Sequence, residues 1–493
     1  MQEIIALAKF SDQSSFEAGI RSVLEFKKGK EFRMYKGSLD STYTDDVIAA
    51  KALYGAGPND ARYKMLKLRL KKKLYSNLFF VDYDQLKISR VYQAEFECIK
   101  MLYHAHFLSR QYELHLVLQL ASKIKRLAGK YEFISLLIDA TELELNCYAE
   151  NGNFKEFKNS RKSLEALLKI KYYEREAQTL YQSIKLDAKK AIKLRRTQLL
   201  NINQRLDRLQ KLYTKAGSFE SFNSYYKASI IYNELMGNFE AIVELTIDAE
   251  KKAAEGGINS NRFNSAFNKF ELVYSHLRAK KLESGIKYAS EYLDGFTEYT
   301  PNWYAFLENY FLLALHSKKY ELASTLINRA LVSSTISKLP ASARERWNLY
   351  EAYFLLLYRN ENMNFAQRNP FLLSLPEYSK DKQGFNVAIL ILQFVYYLHK
   401  QDKEALLYRI ESLKKYILTH LKDSFSLRSK IFLKLLILIV TEDFDVTACR
   451  KKGNKLYHKL LETPTPGDAY AEIEIVPYEH LWEYILDTLQ AQK

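Results

Sequence analysis

The side chains that could move a proton, hold a metal or attack a carbonyl are dispersed along this chain. Its nine histidines include one close pair, His104 and His106. On a helix, residues two apart point about 200° away from each other, so this pair shares a metal only on an extended backbone. His316 closes an apolar run and is expected at a helix end, with its ring against the last carbonyls. Carboxylates gather at Asp82 and Asp84 ("VDYDQ") and at Glu442, Asp443 and Asp445 ("TEDFD"). Both groups fall where a helix is expected to begin, and acids there cap orphan N–H groups and complement the helix dipole. Acid–base catalysis would instead need a carboxyl with a shifted pKa in a cleft, which spacing alone does not reveal. Cys98, Cys147 and Cys449 are odd in number and far apart. They form neither a disulfide framework nor a CxxC metal pair, and they read as free buried thiols of a reducing compartment. The chain has no Walker A loop, GxGxxG, HExxH, GxSxG or EF-hand loop. The "GAG" at 55–57 is too short to cradle phosphates. No catalytic residue, cofactor or metal is expected.

Binding chemistry is better represented. The net charge is +16 and the isoelectric point about 9.2, which favours an anionic partner. The charge is focused: residues 61–80 carry +7 and residues 181–200 carry +5, whereas residues 461–490 carry −7. In "RYKMLKLRLKKKLYSNLFF" (62–80), seven of the first twelve residues are Lys or Arg. Pro58-Asn59-Asp60 ahead of it supplies a turn and a cap. A helix places Tyr63, Leu66, Leu70, Leu74 and Leu78 on one stripe, with Arg62, Lys64, Arg69, Lys71, Lys72 and Lys73 largely opposite and Lys67 beside it. A strand is the alternative, because Leu66, Leu68 and Leu70 alternate with Lys67, Arg69 and Lys71; the helix accounts for more positions. The first reading of both basic segments is a packed helix with a solvated basic back, ahead of contact with nucleic acid or an acidic protein and of binding at a membrane surface. Under the second, candidate contacts to an anionic partner are Lys67, Arg69, Lys71, Lys72 and Lys73, and, in a second cluster, Lys189, Lys190, Lys193, Arg195 and Arg196. Aromatics next to lysines can stack on single-stranded bases. The pairs Tyr172-Tyr173, Tyr225-Tyr226 and Tyr396-Tyr397, however, fall on apolar stripes and read as core packing.

The elements that must carry these residues are helices. Glycine (16) and proline (8) are scarce, and 47% of the residues are hydrophobic against 27% charged. Few breakers mean few tight turns, and this composition supports a sizeable core. The most apolar runs, 387–398 and 431–440, contain Gln393 and Lys434. Both are shorter than the roughly 20 residues that cross a bilayer. With no signal-peptide pattern in "MQEIIALAKF", a cytoplasmic protein is expected. Short polar turns that open on an aromatic or leucine recur at Tyr112, Phe154, Phe239, Leu282, Tyr320, Phe365, near Asp402 and at Phe444. Their spacing is 37 to 45 residues, with one interval of 85. Such a period predicts stacked helical hairpins, each unable to bury its apolar face alone.

Tyr320, Ala323 and Ala330 resemble the second helix of a tetratricopeptide repeat. Gly237-Asn238-Phe239 and Gly152-Asn153-Phe154 resemble the turn before it. The chain departs from the pattern at Phe157 and Gly285, which take the alanine position, at Phe311, and in the length of its units. The resemblance, to a divergent tetratricopeptide-like α-solenoid, covers roughly 90–460. It implies that a protein or peptide is bound, usually on the concave side.

The expected class is therefore all-α: stacked antiparallel hairpins forming a tetratricopeptide-like solenoid. Residues 1–85 form a small, mostly helical region, basic at 61–80. Residues 86–462 form the solenoid, with a long helical segment at about 172–216 whose stripe is Leu199, Ile202, Leu206, Leu209 and Tyr213. Residues 463–493 form a linker and a capping helix, with Pro477 as first helical residue and Tyr478, Leu481, Trp482, Ile485 and Leu489 facing inward. The expected function is a non-catalytic scaffold that binds a protein or peptide. The alternative is a nucleic-acid-associated regulator using the 61–80 segment with the solenoid as sensor; a helical enzyme ranks below both.

Overall fold

The computed structural model describes residues 1–13, 29–78, 88–189, 192–359, 383–421, 427–463 and 474–491. It holds 21 α-helices, is 83% helical, and has no strand among the described residues. Two compact units divide the chain, Met1–Tyr172 and Tyr173–Lys493.

The first unit opens with α1 (Gln2–Gln13), α2 (Lys30–Leu39), α3 (Asp46–Tyr54) and α4 (Ala61–Asn77). Asp45 starts α3 by accepting from the N–H groups of Val47 and Ile48 at 2.8 and 2.9 Å, and Asp60 starts α4 through those of Arg62 and Tyr63. The α4 segment is a helix, not a strand. Tyr63, Leu66, Leu70 and Leu74 are all buried, against Ile4, Met34, Ala50 and Leu53. Then come α5 (Arg90–Arg110), α6 (Leu114–Lys130), α7 (Ile134–Glu150) and α8 (Phe154–Ala188), the unit boundary falling inside α8. Small residues let α5 to α7 approach closely: Ala94, Cys98 and Ala105 meet Ala121, Ala128, Ala140 and Cys147.

The second unit continues through α9 (Ile192–Ala216), α10 (Phe219–Met236), α11 (Phe239–Ala254), α12 (Ser265–Arg278), α13 (Leu282–Tyr292), α14 (Pro301–His316) and α15 (Tyr320–Leu331). It ends with α16 (Ala341–Phe354), α17 (Gln383–His399), α18 (Lys403–His420), α19 (Leu427–Thr441), α20 (Val446–Glu462) and α21 (Tyr478–Ala491). The long segment expected at about 172–216 is two helices that fold back on each other. Arg205 pairs with Asp187 at 2.6 Å, Arg208 with Glu176, and the Lys215 ammonium lies over the Tyr173 ring. Folding back buries Ile202 and Leu209 against Ala177 and Ile184, which a single extended rod would leave wet.

One turn geometry recurs between eight pairs of neighbouring helices among the described residues. A residue in the left-handed region is followed by an N-cap and then by the first helical residue, except that Phe444 intervenes between Asp443 and the Asp445 cap. The left-handed positions are Tyr112, Glu132, Gly152, Gly237, Lys280, Lys318, Gln401 and Asp443. At each, the next N–H donates to the carbonyl five residues back, as Lys319 does to Ala314 at 2.9 Å. This is the Schellman closure, which satisfies carbonyls the helix end would orphan. Phe154, Phe239, Leu282 and Tyr320 begin their helices as expected. Tyr112 is the left-handed residue itself, Asp402 is an N-cap, Phe444 lies within its turn, and Phe365 lies outside the described residues. Ala323 and Ala330 are buried, and Gly285 sits where an added Cβ would come within 3 Å of Leu313 and His276. A glycine at the alanine position is thus what lets α13 pack this closely.

The last helix packs on α19 and α20 and also touches turns of earlier helices. Tyr478, Leu481, Trp482, Ile485 and Leu489 are buried as expected, while Pro477 is the residue before the helix and its carbonyl accepts from His480 and Leu481. The Tyr478 ring stacks on Phe432 at 4.6 Å, and the Tyr484 hydroxyl lies 2.8 Å from His399 Nε2.

Candidate functional site

The basic segment is largely engaged inside its own four-helix cluster. The Lys67 ammonium donates to both Asp46 oxygens at 2.7 and 2.9 Å, Lys73 reaches Glu31 at 2.7 Å, and Lys71 reaches Glu3 at 2.7 Å. Arg69 lies 3.6 Å from Glu31. Burial alone would raise the Asp46 carboxyl, but Lys67 and the Tyr63 hydroxyl hold it at about 2. Lys64 and Lys72 are exposed, with no ion pair among the described residues. In the second cluster Lys189 is exposed, whereas Lys190, Lys193, Arg195 and Arg196 lie outside the residues whose side chains are described.

The dispersed titratable residues resolve into separate roles. Cys98, Cys147 and Cys449 are free and buried, and burial pushes the Cys98 thiol up to about 11. Asp445 caps α20 by accepting from the Ala448 N–H at 2.7 Å; Glu442 pairs with Lys452, and Asp82 and Asp84 lie outside the described residues. His316 does end α14, but its Nε2 meets the carbonyl of Glu474 at 3.0 Å rather than a carbonyl of its own helix. Burial lowers its pKa to about 4. The Glu474–Glu479 stretch is held by Arg428, whose guanidinium is 2% exposed. It donates to Glu474, to Glu479 at 2.6 Å, and to the carbonyls of Leu460 and Thr463, each at 2.8 Å. Burial would raise the Glu479 carboxyl, but the Arg428 charge dominates and holds it at about 2. On α12, desolvation and then the Glu234 charge push Glu271 up to about 8. Among the described residues, no three His, Cys, Asp or Glu are grouped to hold a metal ion.

The most developed surface lies on α5 and α7. With Ala94, Cys98, Leu102 and Ala105 turned inward, the other side of α5 shows Tyr92, Phe96, Ile99, Tyr103 and Phe107. Tyr92 is 58% exposed, Ile99 45% and Phe107 61%. These residues recur every three or four positions, the spacing of a helix-pairing seam. At the C-terminal end of this row a cavity of about 550 Å³ opens between α5 and α7, lined by His106, Arg110, Asp139, Glu142, Asn146 and Glu150, with Ser109, Tyr112, Leu114 and Leu143. Burial pushes the Asp139 carboxyl above its ordinary range, and His106 and Lys171 pull it back. The C-terminal carbonyls of both helices add negative potential at this end.

Of the HxH pair, His106 faces this cavity and His104 lies edge-on to Tyr103, so the two do not converge. The surface was not singled out from the sequence, although a signal exists. Residues 131–154 hold Glu132, Asp139, Glu142, Glu144 and Glu150 and no Lys or Arg, in a chain of net charge +16. Comparison with protein-family models, curated proteins and solved structures gives no match. Among the described residues no helix is long and apolar enough to cross a membrane.

Proposed function

We propose that this chain is a non-catalytic adaptor of the tetratricopeptide-like solenoid type that binds a protein or peptide segment on a preformed helical surface. The observation that carries this reading is the exposed apolar row of α5 beside the polar cavity it shares with α7. A surface made of packed helices needs little ordering when a partner arrives, which limits the entropic cost of association. The recurrent Schellman turns and the packing of most helices on their chain neighbours support the solenoid assignment. The ion pairs that occupy Lys67, Arg69, Lys71 and Lys73 favour a protein partner over a nucleic-acid one, because nucleic-acid contact draws on cations free to replace counterions. Affinity capture from native lysate, with and without nuclease, tests the reading. Retention of the same protein partner in both arms is expected; loss of all partners with nuclease would overturn it.

A further inference from the structure

Resting on that reading, we propose that the α5–α7 face takes an amphipathic helix with an apolar seam and a Lys/Arg-rich end, the basic end lying over the cavity. The seam is set by Tyr92, Ile99 and Phe107, with Phe96 and Tyr103 on the same face. From position 92 to 107 it runs roughly 22 Å at 1.5 Å per residue, the length of about four helical turns. A partner helix with apolar residues at the same three- and four-residue spacing would bury this row by knobs-into-holes packing.

The direction and charge of the occupant follow from the cavity. Asp139, Glu142 and Glu150 line it against the single guanidinium of Arg110 and the ring of His106. Helices α5 and α7 both end near this cavity, and helix C-termini favour cations. The chain as a whole is positive, so a generic basic peptide is repelled at long range. It gains only where this acidic patch lies within about a Debye length, roughly 8–10 Å. The patch therefore selects where the basic end sits, while the apolar row supplies the burial.

A displayed library of helical peptides tests this on the full chain, with apolar residues fixed at heptad positions and the rest randomised among Lys, Glu, Gln and Ala. Enrichment of lysine at one end of the peptide is expected. The enriched peptide should bind the Ile99→Glu and the Glu142→Gln/Glu150→Gln variants about tenfold more weakly or worse, with circular dichroism unchanged. No binder, a glutamate-rich binder, or equal binding by the variants would overturn the proposal. So would a self-association that Ile99→Glu abolishes, which would give the face to a second copy of the chain. If a nuclease-resistant partner is captured equally by wild type and both variants, this site falls and the adaptor reading stands.

Discussion

At residue scale, the turn code and one buried ionic cluster set the sharpest expectations. Gly237 and Gln401 occupy the same left-handed turn position, at φ 72° and 55°. A side chain there costs about 1–2 kcal/mol, partly offset by the greater freedom glycine gives the unfolded chain. Gln401→Gly should therefore stabilise by about 0.5–1 kcal/mol and Gly237→Ala should destabilise by a similar amount, read from denaturant midpoints. Acid should loosen the second unit through Glu479 and His316. Glu479 titrates at about 2 in the fold, so the stability it lends is whole above the ordinary carboxylate range and drains as pH falls through it. His316 is held neutral to about 4, so the unfolded chain gains its proton first as pH drops below about 6.5. Both act in the same direction, and the groups facing them are Arg428, Lys280, Glu474 and His480. The melting temperature should fall steadily from about pH 7 to about pH 4; an unchanged value would refute this assignment.

At the scale of elements, α4 shows how far periodicity reaches. The stripe Tyr63, Leu66, Leu70 and Leu74 is legible because a 3.6-residue period separates it from the charges, and the folded helix buries all four. Leu70→Ala should cost about 2–5 kcal/mol. Leu68, 59% exposed on the other side, should tolerate alanine within about 0.5 kcal/mol. Equal losses in urea melts would contradict the assigned face. The turn at Tyr131-Glu132-Phe133 was not legible, because a glutamate rather than a glycine takes the left-handed position. The fold-back of α8 on α9 was hidden for a different reason: 154–216 contains no glycine or proline to mark it. The α5–α7 surface needs three helices to assemble. Its apolar row looks in sequence like a second core stripe, and only the packing of Ala94, Cys98 and Ala105 shows which stripe is spent inward.

For the whole molecule, the question is what its positive charge is for. In the N-terminal cluster the cations of α4 face Glu3, Glu31 and Asp46, and exposed pairs of this kind contribute little to stability. They do lower the local potential. Lys71/Lys72/Lys73→Ala should therefore weaken heparin retention no more than Lys155/Lys158/Lys162→Ala, three exposed lysines of α8. A selectively larger loss from the first triple would favour the nucleic-acid reading. The central claim is that the chain engages a protein through the exposed row of α5. A photo-crosslinking residue placed at Ile99, with Leu407 of α18 as an equally apolar exposed control, tests it in nuclease-treated native lysate. Discrete protein adducts at position 99 and none at 407 are the predicted result; no adduct at 99, or the same adducts at both positions, would contradict it.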